Sequence, residues 1–249
     1  MHDPNLKHIV TFLFVMSFAM MASTSGNYMN ICTPLFQQKY NWDTQTKQDL
    51  HEALMNTLPA IGTIFGSGAG SVLMGKGRAQ ALIISCALGI FGSLFTFYMN
   101  FYVFLFAKFT VGVSIGLMGV VVARFIEEYV PLKWFGVSQA ISLAFLQLGI
   151  FTSTIVGVFL PADDDKEALQ NDTNWRYIFA LQPVLLTISI ILFITLLRTD
   201  TPRFYITQGE GEKAKQVIQK IYRTEGNALK LNNIYEAEKA AANAGDEGS

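Results

Sequence analysis

Long apolar runs separated by short polar connections dominate the sequence up to about residue 200. A helix needs about 20 apolar residues to span a membrane, since each residue adds about 1.5 Å to a core about 30 Å thick. The first run is too long for a secretory signal peptide and lacks its small-residue cleavage pattern. The pattern predicts a membrane domain over residues 1–200 with six spans, at about 9–36, 52–74, 79–99, 102–124, 136–160 and 175–197.

Beyond residue 200 the chain becomes polar, and residues 201–249 are predicted to form a helical tail on the inner side of the membrane. Apolar residues recur there at helical spacing, at Ala214, Val217, Ile218 and Ile221. A second short helix is predicted from Leu229 to Ala242. Three placements are open for this tail: packed on the inner loops, over the inner mouth of the bundle, or against a membrane surface. The predicted fold is therefore an all-α integral membrane bundle with a short soluble helical C-terminal tail.

Glycines stand at helical spacing in two of the predicted spans. Small residues four apart let another backbone approach closely, which is how helices pack in lipid. Charged residues follow directly after the second of these glycine runs and mark the membrane boundary, because a charge at the membrane centre costs about 2.5–3.5 kcal/mol. The glycines are Gly62, Gly66 and Gly70 in the second span and Gly112, Gly116 and Gly119 in the fourth, and the charges are Arg124, Glu127 and Glu128.

Composition supports a membrane protein without catalytic chemistry. The chain of 249 residues is 51% hydrophobic and 15% charged, its mean hydropathy is +0.34 and its net charge is −1. These values give no reason to expect nucleic acid. No nucleophile elbow, phosphate-binding loop or zinc spacing is present, so we predict no enzyme activity, cofactor or metal site. Cys32 and Cys86 lie in apolar runs and are predicted to pack as small hydrophobic residues, with a disulfide or metal ligand as the alternative.

Basic residues predict the orientation of the spans. The loops on one side are rich in lysine and arginine, whereas those on the other carry mostly aspartate and glutamate. Because basic loops stay on the cytoplasmic side, both termini are expected inside. The compartment stays open between the plasma membrane and an organellar inner membrane such as the mitochondrial one. A glycosylation sequon at Asn171 lies on the predicted outer loop.

The stretch from residue 107 to 136 resembles the fourth span and following loop of the sugar porter family of the major facilitator superfamily. The match runs without a gap and includes Gly112, Gly116, Gly136, the run Val120–Val122, Glu128 and Pro131. The segment DTPRFYIT resembles the family's segment after the sixth span. The resemblance covers nearly the whole chain and implies the first six-helix half of a twelve-helix transporter. It also implies inner-motif and gating positions at Gly70, Gly77, Arg78, Glu128, Pro131, Gly136 and Arg203.

Three positions depart from the family pattern. Met74 replaces an acidic residue of the inner charge network, which removes a strong hydrogen-bond acceptor from that network. Arg78 is still expected to pair with Glu127 or Glu128, unless it serves only as an inner anchor. Phe135 replaces an arginine and, with Trp134, predicts either a membrane-interface pair or a partner-docking site.

The third departure is Leu143, which replaces a glutamine that binds sugar hydroxyls in the family. The remaining candidates for a solute cavity are Asn27, Asn30, Gln147 and Thr152. In-membrane polar side chains also bond neighbouring helices, which is the alternative for these four. Lys108 stands where the family has arginine and is expected to snorkel outward.

The framework residues are retained while residues of the charge network and sugar site are not. The leading hypothesis is a sugar-porter-like half transporter that serves as a transport-inactive accessory subunit of a larger membrane assembly. The alternative is a transporter of sugars or small solutes that acts as a homodimer or with a separate second half. A truncated porter is a third reading. The expected partners are the lipid bilayer, other membrane subunits or a second half, and a hexose-like solute, with no nucleic acid.

Overall fold

The structure, a computed structural model, describes residues 4–26, 29–40, 42, 44–98, 100–161, 165–222 and 228–246. Within these ranges the chain is built of helices, and no strand is formed beyond an isolated bridge between Pro4 and Tyr222. The helices are α1 (Leu6–Thr24), α2 (Met29–Lys39), α3 (Gln45–Met74), α4 (Arg78–Phe95), α5 (Phe101–Tyr129), α6 (Leu132–Gly157), α7 (Lys166–Asn171), α8 (Trp175–Leu192, continued by a π-helical turn Phe193–Leu197), α9 (Pro202–Thr207), α10 (Gly211–Ile221) and α11 (Ala228–Asp246).

Six helices in the described part of the chain are long and apolar enough to cross a membrane, namely α1, α3, α4, α5, α6 and α8 with its extension. The predicted all-α bundle with a helical tail is confirmed. The first predicted span, 9–36, differs in detail because it is divided into α1 and α2. The fourth span continues as helix beyond Arg124 to Tyr129, so the charged residues that follow the apolar segment belong to the same helix.

Glycines bring α3 and α5 into backbone contact, as their spacing predicted. A Cβ on Gly112 would overlap the carbonyl of Pro59, and a Cβ on Gly116 would overlap that of Thr63. Gly119 differs, since a Cβ there would meet no atom within 4 Å. The facing helix shows the same feature, because Gly62 and Gly66 in turn meet backbone atoms of Phe109 and Val113.

A second close contact joins α1 to α6. A Cβ on Gly149 would overlap Thr24 and the Met21 carbonyl, and the Thr24 hydroxyl donates a hydrogen bond to the Leu146 carbonyl at 2.8 Å. The bundle thus contains two helix groups, α3–α5–α4 and α6–α1–α8, joined where α4 meets α8 and where α1 meets α5. The outer member of each group is mostly uncovered, because only 17% of the apolar window of α3 and 17% of that of α6 is buried.

The tail docks against one end of the bundle, here called the tail end. α10 buries Ala214, Val217, Ile218 and Ile221, which confirms the predicted apolar face. The N-terminal segment lies at the same end, since the Asn5 N–H donates to the Ile221 carbonyl at 2.7 Å. Cys86 is 1% exposed and packs in the core as predicted, whereas the side chain of Cys32 lies outside the described residues.

Candidate functional site

An ion pair between Arg78 and Glu128 stands at the centre of the tail end. Arg78 begins α4, Glu128 lies in the last turn of α5, and their side chains are 2.7 Å apart and only 17% and 5% exposed. The Thr201 hydroxyl donates to the second carboxylate oxygen of Glu128 at 2.6 Å, so both oxygens are bonded. The predicted pairing of Arg78 is therefore with Glu128. Arg78 is more than an inner anchor.

Met74 and Glu127 take other roles around this pair. Met74 contributes through its backbone, since its carbonyl accepts a hydrogen bond from the Arg78 guanidinium at 3.3 Å. Glu127 instead pairs with Arg124 at 2.8 Å on the surface, where both side chains are about half exposed. Exposed pairs of this kind contribute about 0–1 kcal/mol, whereas breaking a buried pair costs about 3–5 kcal/mol. Breaking the buried pair is therefore expected to destabilise the tail end more than breaking the surface pair.

Asp200 caps the start of α4 from the tail side. Its carboxylate oxygens accept hydrogen bonds from the backbone N–H groups of Arg78 and Ala79, each at 3.1 Å. These are N–H groups that a helix start leaves without an intrahelical partner, and the helix dipole favours negative charge there. Gly77 permits the approach, because its φ of 124° suits glycine and a Cβ would lie 2.9 Å from the carboxylate. The pKa of Asp200 lies above its ordinary value, because burial raises it by more than the backbone hydrogen bonds lower it.

A cavity of about 430 Å³ lies between the tail helices and the point where α5 ends and α6 begins. Glu128, Pro131, Phe135, Arg203 and Glu238 are among its lining residues. A second cavity of about 370 Å³ is lined by Arg78, Arg124 and Arg203 as well as Glu128. Arg203 and Glu128 line both cavities and connect the inner-motif residues to the tail.

The other predicted inner-motif and docking residues lie around these cavities. Pro131 is the cap residue before α6, and Gly136 has open space around it. Gly70 faces the side chain of Val120, where a Cβ would lie 3.2 Å away. The aromatic pair divides: Trp134 is 38% exposed, whereas Phe135 is partly buried and packs against the core. Of these two residues, Trp134 presents the more exposed ring to the surroundings of the bundle.

Of the four candidate cavity residues, the structure describes the side chains of two, Gln147 and Thr152, both on α6. Gln147 is exposed near the middle of α6. Thr152 donates its hydroxyl to Leu148 in its own helix at 2.7 Å. Asn27 lies outside the described residues, as does the side chain of Asn30, whose backbone belongs to α2.

A buried polar cluster was missed by the sequence analysis. Lys108 is 2% exposed and donates to the Gly26 carbonyl at 3.2 Å, so the expected outward snorkelling was wrong. Gln182, 1% exposed, donates to the Ser23 carbonyl at 2.7 Å and accepts from the Ser93 hydroxyl at 2.8 Å. The sequence signal was a glutamine within an apolar run directly before Pro183. Among the described residues, no group of histidine, cysteine and carboxylate side chains has the arrangement of a metal site.

The environment of Glu238 leads us to predict that docking of the tail depends on pH. Burial raises its pKa above the ordinary value of 4.5, Glu128 raises it further and Arg203 opposes both. The docked tail therefore holds this proton more tightly than the undocked tail, and docking weakens as pH rises through the raised pKa. We expect Glu238→Gln to remove this dependence, measured as hydrogen exchange of residues 228–246 in wild type and variant at matched pH values. The exposed neighbour Glu236 is the control, and equal behaviour of Glu236→Gln and Glu238→Gln would contradict the assignment.

Comparisons with known protein families, sequences and structures all find transporters. A family described as "Sugar (and other) transporter" matches residues 8–247. "Hexose transporter 1" of Plasmodium falciparum is 30% identical over 183 residues, which cover 71% of this chain and 36% of that protein. The "Putative metabolite transport protein YwtG" of Bacillus subtilis is 29% identical, over 76% of this chain and 39% of its own length. The chain thus spans somewhat more than a third of the length of these relatives.

Solved structures share the fold. The proton:xylose symporter XylE, bound to 6-bromo-6-deoxy-D-glucose, aligns with a TM-score of 0.81 at 16% identity and covers 98% of this chain and 55% of its own. A partially occluded inward open conformation of XylE from E. coli aligns with a TM-score of 0.79 at 16% identity, over 96% and 60% of the two chains. The bundle and its tail therefore correspond to one half, with the connecting segment, of a major facilitator fold.

Proposed function

Because the chain belongs to the Sugar (and other) transporter family, we propose that it forms one six-helix half of a membrane unit that transports a hexose-like solute. In this proposal a second six-helix body packs against the uncovered faces of α3 and α6. The solute path lies between the two bodies, where inverted-repeat transporters place their sites near mid-membrane.

Gln147 carries the proposal. Its amide is exposed near the middle of α6, at a depth where a lipid environment offers no hydrogen-bond partner. A polar group without a partner in an apolar medium costs several kcal/mol, so such a side chain belongs in a water-filled cavity or against another protein. Leu143 lies one turn away on the same helix and is 59% exposed, so it presents an apolar surface beside the amide.

An accessory role is the second candidate, and Leu143 is the observation that favours it. Leaving a buried solute hydroxyl without its hydrogen bond costs about 1–3 kcal/mol, and an apolar residue at the sugar-binding position does so. In this case the uncovered faces of α3 and α6 receive other subunits of a membrane assembly. The chain then acts as a transport-inactive structural subunit.

Solute uptake tests the proposal. The full chain, purified in mild detergent and weighed by native mass spectrometry for a second copy or a co-purifying body, is reconstituted in liposomes. Uptake of D-glucose is compared with that of L-glucose. We expect saturable D-glucose uptake that falls about 10- to 100-fold in Gln147→Leu, since one lost hydrogen bond to the solute costs about 1–3 kcal/mol.

Thr154→Val is the matched control for this measurement. Thr154 is an exposed polar residue of the same helix whose hydroxyl bonds the Ile150 carbonyl in its own helix. Its substitution is expected to leave uptake unchanged. Equal uptake of the two enantiomers by an intact, folded preparation, with other subunits bound, would overturn the transport proposal in favour of the accessory role.

A further inference from the structure

We infer that Lys108 and Gln182 form a clamp, together with Ser93, that holds the end of α1 and sets the direction in which α2 continues. The inference deepens the proposed function, since α2 carries the outer part of the first span in the transport half. Lys108 and Gln182 are then positioning residues for that segment.

The clamp binds one carbonyl in the last turn of α1, which the helix end leaves without an intrahelical partner, and one carbonyl just beyond the helix. Gln182 donates to the Ser23 carbonyl and is itself fixed by the Ser93 hydroxyl. Lys108 donates to the Gly26 carbonyl, and a cation is stabilised at the C-terminal end of a helix by the helix dipole. All three side chains are nearly or fully buried, so these bonds form in a medium where they are strong.

Four helices meet at this point. Ser93 belongs to α4, Lys108 to α5 and Gln182 to α8, while α6 joins through the bond from Thr24 to the Leu146 carbonyl. A Cβ on Gly26 would overlap the Gln182 amide in its present position, so glycine lets the amide lie directly against the chain after α1. An ammonium group inside a membrane is costly, and ionisable residues within spans are by default functional. The position of α1's end is therefore determined from four sides.

Two of the three helices that carry the clamp, α5 and α8, also hold α2. Phe36 on α2 packs against Phe104, one turn before Lys108, with 4.8 Å between ring centroids. It also packs against Phe179, which lies shortly before Gln182 on α8, at 6.1 Å. The chain between the clamp and this aromatic contact is the part where the first span is interrupted. Holding both sides of the interruption with α5 and α8 fixes the angle between α1 and α2.

Hydrogen exchange of the full chain in lipid nanodiscs tests the clamp without reference to transport. We expect Lys108→Met to raise exchange in residues 29–39 about 10- to 100-fold, since a hydrogen bond to a charged group is stronger than one between neutral groups. Exchange in α10 should stay unchanged, and Lys108→Arg should restore most of the protection because it keeps a cation and donor. Gln182→Leu should act on the same residues.

Ser114→Ala is the matched control. Ser114 is also buried on α5, but its hydroxyl bonds the Ser85 carbonyl on α4, so exchange in α2 should not change. Unchanged exchange in residues 29–39 in the Lys108 and Gln182 variants would overturn the clamp, as would an equal rise in all helices. If Lys108→Met does not fold, Ser93→Ala removes only the hydroxyl shared between the Gln182 amide oxygen and the Gly89 carbonyl of its own helix, and it must raise exchange in α2 selectively. Absence of solute uptake by the wild-type chain, together with selective loss of α2 protection in the clamp variants, would reject the transport proposal while leaving the clamp intact.

Discussion

Gly116→Leu is expected to prevent the chain from reaching its folded state in a membrane, whereas Gly119→Leu is expected to leave it folded. A Cβ at Gly116 overlaps the Thr63 carbonyl, and the neighbouring atoms are backbone of α3. Backbone atoms of two packed helices cannot move aside as a flexible side chain can, so the helices must separate. Overpacking typically costs about 1–3 kcal/mol, and we expect the upper end or more here.

Gly119 offers a matched control in the same helix and the same glycine series. A Cβ there meets no atom within 4 Å, so a leucine has open space and its apolar side chain suits the membrane. The measurement is the fraction of monodisperse protein after extraction in mild detergent, followed by its thermal unfolding. Similar yield and stability of the two variants would show that the α3–α5 contact is not limited by Gly116.

The bundle could be predicted because hydropathy and glycine spacing are local properties. Each apolar run is long enough to span, and the glycines at 112 and 116 lie where α3 approaches. The break between α1 and α2 could not be predicted in this way. Hydropathy averages over a window, whereas the carbonyl groups at the end of α1 are bonded by Lys108 and Gln182, which lie on other helices.

The candidate site was predicted only in part for the same reason. The pairing of Arg78 with a carboxylate at the end of α5 follows from the family resemblance. The role of Asp200 does not, since it arises when the chain after α8 turns back to the start of α4. Helical phase alone likewise misplaced Lys108, because the neighbours of α5 cover the face on which it lies.

Arg78→Met is expected to destabilise the protein by about 3–5 kcal/mol, since it leaves Glu128 buried without its ionic partner. Arg124→Met is the control, because its pair with Glu127 is exposed and its loss should cost less than about 1 kcal/mol. Unfolding of both variants is compared in the same detergent. Adding Glu128→Gln to Arg78→Met should recover part of the loss, because it removes the uncompensated charge. Equal destabilisation by the Arg78 and Arg124 substitutions, or no recovery in the double variant, would contradict a buried ion pair as the element that holds the tail end together.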